Sequence, residues 1–114
     1  MAERGAVDLG ARLAAGGDRV GVIWALQGSD ELNVNLVRFG SGGGVGEHAN
    51  DEVDVLVVGV SGSGLVVVDG EEHNLGPGTL IFFPKGTRRS TRGRSEDFAY
   101  LTVHRRRGPL RIER

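Results

Sequence analysis

Few groups in this chain are equipped for chemistry. Its 114 residues include no cysteine and three histidines, His48, His73 and His104. Without a thiol there is no cysteine nucleophile, no zinc-thiolate site and no disulfide framework, and a reducing compartment costs the chain nothing. There is no Gly-x-Ser-x-Gly elbow and no P-loop. The glycine run from Gly40 to Gly46 opens a strand-rich region, so it offers no helix N-terminus to a phosphate. Serine-hydrolase and nucleotide-binding chemistries therefore fall away. What remains is imidazole and carboxylate, the donors that a first-row divalent metal takes, and arginine, whose planar fork suits carboxylates and phosphates.

These groups must be positioned by short β-strands. From Arg19 onward apolar runs of strand length alternate with turn residues: Val20 to Leu26, then Leu32 to Phe39 after Gly28-Ser29-Asp30-Glu31, a spacing that predicts a hairpin. Beyond the glycine run, taken as a flexible loop, come Val53 to Val60, Gly64 to Gly70, Thr79 to Pro84 and Phe98 to His104. Their separators are Ser61 to Gly64, Asp69 to Gly78 and the Arg-rich stretch Lys85 to Asp97. So many strands with no helix between them predict an antiparallel sandwich or barrel. Residues 1–18 place Ala6, Val7, Leu9, Leu13 and Ala14 at near-helical spacing before Gly16-Gly17, which predicts a short helix or an arm ahead of a single domain at 19–114.

The strands from Val53 to Val58 and from Leu65 to Val68 are apolar on both alternating faces, so both faces need cover. A second copy of the chain is the expected cover, giving a homodimer; the N-terminal arm folded back is the alternative. Trp24, between Ile23 and Ala25, is read as core or dimer packing rather than a stacking platform for a ligand.

Charge excludes several partners. The net charge is −1, which gives no general attraction to nucleic acid or to an anionic membrane. Residues 1–87 hold five basic groups against twelve acidic ones, and residues 88–114 hold nine arginines against three acids. Arg105, Arg106, Arg107, Arg111 and Arg114 lack interleaved aromatics and are read as a solvated tail, not a nucleic-acid surface. No apolar run is long enough to span a membrane and the N-terminus has no apolar signal core, so a cytoplasmic protein is expected.

Turn residues between Gly42 and Gly93 carry a family resemblance. Five residues separate Gly42 from His48, Gly62 follows the Val53 strand, and after fifteen intervening residues Gly78-Thr79-Leu80-Ile81-Phe82-Phe83-Pro84-Lys85-Gly86 reproduces a Gly-x5-Pro-x-Gly pattern. This spacing resembles the two motifs of the cupins, small double-stranded β-helix or jelly-roll barrels that hold a metal and substrate in the barrel mouth. The ligands depart from the family pattern. His48 keeps the first ligand position, Asn50 stands at the second histidine, Arg89 at the histidine of the second motif and Gly93 at its asparagine. The family's carboxylate falls on Asp54 or, counted back from Gly62, on Val55.

The resemblance implies that His48, Asn50 and Arg89 meet in the mouth. Two readings of that meeting are open: a receptor for a small carboxylate or phosphate, or an internal network in which Arg89 neutralises Asp54 or Glu52. The first functional class is a binding or structural module without a metal. The alternative is a metal-dependent enzyme on a small molecule, an oxygenase, isomerase or decarboxylase, with Fe, Mn, Ni or Zn on His48, Asp54 and one of Glu52 or His104. Alternation in the last strand puts Leu101 and Val103 on one face and Tyr100, Thr102 and His104 on the other, and the apolar face is taken as inner, which points His104 outward. His73 is read as a solvated turn residue.

Overall fold

The computed structural model describes residues 5–107. Arg111 and Arg114 of the basic tail lie outside the described residues. A helix, α1 (Leu9–Gly16), begins where the Asp8 carboxylate accepts the Ala11 amide at 3.1 Å and ends at Gly17, whose φ of 58° suits glycine. Nine strands follow: β1 (Gly21–Ala25), β2 (Leu32–Arg38), β3 (Gly44–Ala49), β4 (Val55–Ser61), β5 (Gly64–Val68), β6 (Glu71–Leu75), β7 (Leu80–Phe83), β8 (Arg88–Gly93) and β9 (Ala99–Arg105). They form a five-stranded sheet ordered β1-β2-β9-β4-β7 and a four-stranded sheet ordered β3-β8-β5-β6, with every paired neighbour antiparallel. This is the antiparallel two-sheet architecture expected from the strand pattern, in the jelly-roll form that the family resemblance implies.

The core lies between the two sheets. Val37, Val55, Val57, Ile81, Phe83 and Tyr100 from the larger sheet meet Val66 and Leu75 from the smaller one, with Val53 and Phe98 closing the ends. The Phe98 and Tyr100 rings pack at a tilt of 39° with centroids 5.3 Å apart.

The outward face of the larger sheet is also apolar, and its side chains line up in two rows. Phe82, Leu56, Val103 and Val34 are successive cross-strand partners, and so are Leu80, Val58, Leu101, Leu36 and Trp24. Helix α1 packs at the β1 end of this face, where Gly16 seats against Ile23 and Arg12 lies over the Trp24 ring at 5.9 Å. Trp24 therefore belongs to the outer layer, not to the core between the sheets. At the β4 and β7 end the face is open: Leu80 is 56 % exposed, Phe82 50 % and Leu56 37 %.

Three strands run where the sequence pattern predicts connections. Strand β3 covers the second half of the glycine run, β6 takes in His73, and β8 lies inside the Arg-rich stretch. Their residues have low strand propensity, and ladder hydrogen bonding with neighbouring strands overrides it. Glycine is required at one point of β3: a Cβ on Gly44 would sit 1.9 Å from the Thr91 carbonyl oxygen of β8. Gly44→Ala should therefore break the β3 edge and cost on the order of 3 kcal/mol in urea unfolding. Gly46→Ala, which meets nothing within 4 Å, should stay close to the parent.

Candidate functional site

His48 and Arg89 are direct cross-strand partners on β3 and β8. Two turns hold that pairing in place. The Asn50 Oδ1 accepts the amides of Glu52 (2.9 Å) and Val53 (3.3 Å), and the Asn50 carbonyl accepts the Gly86 amide at 2.7 Å. Asp54 accepts the Lys85 amide at 2.9 Å. The loop leaving β3 is thus fastened to the turn that enters β8. The Pro84-Lys85-Gly86 motif serves the site through its backbone: Gly86 has φ +86° and turns the chain so that its amide reaches Asn50.

Arg89 has an unusual environment for a cation. Its guanidinium carbon lies 4.7 Å above the Phe83 ring, and its Nη1 is buried with no hydrogen-bond partner. Desolvation lowers its pKa, and the nearby Arg107 adds to that effect. The internal ion pair considered from sequence is not formed. Asp54 is engaged by the Lys85 amide, and Glu52 pairs with Arg107 at 3.6 Å. Asn50 is 7 % exposed and shows the same deficit. Because its oxygen is fixed by two backbone donors, its Nδ2 must point elsewhere, and it too is buried without a partner.

Two hollows meet at this pair of strands. An outer depression of about 380 Å³ is lined by His48, Asn50, Asp51, Glu52, Arg89 and Arg107. An inner cavity of about 290 Å³ runs between the sheets, with Arg89 and His48 on its rim and Phe83, Tyr100, Thr102 and Asn35 among its walls. Arg89 and His48 line both and form the partition between them. The His48 Nδ1 lies 2.9 Å from the Gly46 carbonyl. A carbonyl only accepts, so Nδ1 carries the proton in the neutral ring and Nε2 keeps its lone pair.

The last strand is oriented opposite to the sequence expectation. Tyr100 and Thr102 line the inner cavity, whereas His104, next in that alternation, lines neither hollow. Leu101 and Val103 take the outer face, in the two apolar rows. The assumption that the apolar face is inner fails because both sides of this sheet are apolar in part. Strand β2 is arranged alike: Asn35 reaches the cavity and Leu36 takes the outer face. Asn35, Thr91, Tyr100 and Thr102 were missed as site residues, although the polar alternation Asn33-x-Asn35 and Tyr100-x-Thr102 was legible. His73 sits in strand β6 with Nε2 3.1 Å from Glu71, away from the site.

The metal-ligand set does not assemble. Among the described residues no three His, Cys, Asp or Glu side chains are grouped as a metal ion requires. Asp54 and Glu52 are committed as described above, the His104 Nδ1 contacts the Arg105 carbonyl at 2.9 Å, and His48 faces a guanidinium. A cation in the mouth would be repelled by Arg89, so these residues do not fit the family's metal.

The sequence matches the family described as Cupin domain over residues 35–104. Among solved structures, KdgF from Halomonas sp. superposes with a TM-score of 0.69 at 21 % identity, over 75 % of this chain and 77 % of that one. A protein from Thermus thermophilus gives a TM-score of 0.74 at 23 % identity, over 91 % and 98 %. One from Bacillus halodurans gives 0.78 at 17 %, over 95 % and 85 %. At these identities the likeness is one of fold. No curated protein matches the sequence. Among the described residues no helix is long and apolar enough to cross a membrane.

The buried Tyr100 hydroxyl provides a titratable probe of the cavity. Burial raises its pKa from 10.0 to about 12, against the opposing effects of Arg89 and of the Thr91 hydroxyl. The folded chain therefore holds this proton to higher pH than the unfolded chain. Its contribution to stability is complete below pH 10 and is lost as pH rises from 10 to about 12, a loss of roughly 3 kcal/mol. Tyr100→Phe should flatten the urea midpoint across that window, and a parent midpoint independent of pH there would contradict the burial.

Proposed function

Since the chain belongs to the cupin family, we propose that it is a small-molecule binding module whose barrel mouth has changed from a cation cage to an anion receptor, with His48, Asn50 and Arg89 at the site. The observation that carries this reading is the pair of buried, unpartnered donors, Arg89 Nη1 and Asn50 Nδ2, on two residues that line one depression. Buried donors without acceptors are rare and costly, and two on one depression signal a missing acceptor. A carboxylate or phosphate supplies it, and the arginine fork holds such an anion through two parallel hydrogen bonds. The alternative of a metal-dependent enzyme draws no support from the donor arrangement.

A thermal-shift screen of small carboxylates and phosphate tests the reading. A ligand at about ten times its Kd stabilises by roughly 1.4 kcal/mol, which for a domain of this size raises Tm by several degrees. Arg89→Met should abolish the response while Tm in buffer stays level or rises, because the substitution removes an unpaired buried charge. A parent protein that answers to no anion, or a variant that loses stability but keeps the response, would overturn the assignment.

We also propose a homodimer through the open end of the apolar rows. Support comes from Phe82, Leu80 and Leu56, exposed on adjacent strands, and from the absence of any charged side chain in the two rows. The exposed part of the face at β4 and β7 carries only apolar side chains in these rows, so it meets a second copy of itself without charge repulsion there. Phe82→Glu should convert a dimer at tens of micromolar into a monomer in sedimentation equilibrium, and a monomeric parent would refute the interface.

A further inference from the structure

We infer that the ligand is a monocarboxylate with a compact apolar body, its carboxylate held at the partition and its body inside the barrel. This rests on the anion-receptor reading and adds the chemical class of the molecule. Three observations carry it.

The first is charge. The groups facing the outer depression are Arg89, Arg107, Glu52, Asp51 and His48. Arg107 and Glu52 pair with each other, and Arg89 is in no ion pair although Asp51 also lines the depression, so Arg89 is the cation left to meet an anion while Asp51 disfavours a second negative charge. One unpaired cation in a partly desolvated site balances one negative charge. A phosphate carrying nearly two would leave the second uncompensated beside Asp51.

The second is connectivity. Arg89 lines both the outer depression and the inner cavity, so an anion held by its guanidinium has open space on the barrel side. A bare inorganic ion would leave that space to solvent. A molecule with an anionic head and an uncharged body fills both.

The third is the lining. Val37, Val55, Val57 and Phe83 present an apolar wall to the inner cavity, and the cross-strand neighbours Asn35 and Thr102 present a narrow polar strip opposite β8. Water in such a space is poorly satisfied by the apolar wall, and an alkyl or aromatic body that displaces it gains transfer free energy. The cavity of about 290 Å³ holds about ten water molecules' volume, which suits a short chain or a single ring.

Calorimetric titration of the parent protein with acetate, butyrate, hexanoate, benzoate and inorganic phosphate tests the inference. Affinity should rise about fourfold for each methylene that enters the cavity, benzoate should exceed acetate at least tenfold, and phosphate should bind no better than acetate. In Thr102→Phe, which fills the cavity from the β9 wall, the series should flatten. Equal affinity for acetate, hexanoate and phosphate would overturn the apolar body while leaving the anion receptor in place. Phosphate binding tighter than every carboxylate would overturn the monocarboxylate class. Failure of all five to bind would overturn the receptor and this inference together.

Discussion

Strand β9 lies between β2 and β4, and its register decides what the barrel contains. With Tyr100 opposite Val37 and Thr102 opposite Asn35, the inner wall acquires a phenol, a hydroxyl and an amide. With Leu101 and Val103 turned away, the outer wall acquires the centre of two apolar rows. Strand alternation has a period of two, so a slip of one residue would exchange these sets entirely. The polar strip inside the cavity and the apolar exterior are consequences of one register. Tyr100 helps to hold it, since its ring is buried against Phe98 and tilted toward Phe39 at 6.3 Å.

The fold was legible because turn chemistry and strand spacing are local. Gly42, Gly62, Gly78 and Gly86 all fall at positive φ, where the motif spacing placed glycine. The site was legible in its members and not in their relations. His48 and Arg89 were identified, yet β3 and β8, the strands that bring them face to face, were read as a loop and a connection. Glycine and arginine carry little strand preference, and a ladder is a property of two segments that neither shows alone. The facing of Tyr100 and Thr102 was misread for a related reason: an apolar face does not reveal which side is inner when both sides of the sheet are apolar in part. The expected neutralisation of Arg89 failed on competition. Asp54 and Glu52 stand close to His48 in sequence, but a backbone amide and a second arginine claim them.

That second arginine belongs to a stretch read as a solvated tail. Its described part is engaged: Arg105 donates to the Glu52 carbonyl at 3.1 Å and the Arg106 Nε to the Ser29 carbonyl at 3.1 Å. Guanidinium groups here serve as multiple donors for the carbonyls of loops at the barrel end. The excess positive charge of the C-terminal segment is thus divided. Part of it organises loops, and one member, Arg107, raises the electrostatic cost of Arg89 from the opposite side of the depression.

The two hydrogen bonds accepted by the Asn50 oxygen have an evolutionary reading. A carboxylate at position 50 would accept the same two amides, so the turn would survive the exchange of one amide nitrogen for oxygen. Such a carboxylate would add a negative charge to the lining that Asn50 and Arg89 share, a candidate counter-ion for the guanidinium. A barrel open to external anions and one sealed by an internal pair are therefore neighbours in sequence space, a single atom apart. The amide at position 50, unlike a carboxylate, brings Arg89 no counter-charge.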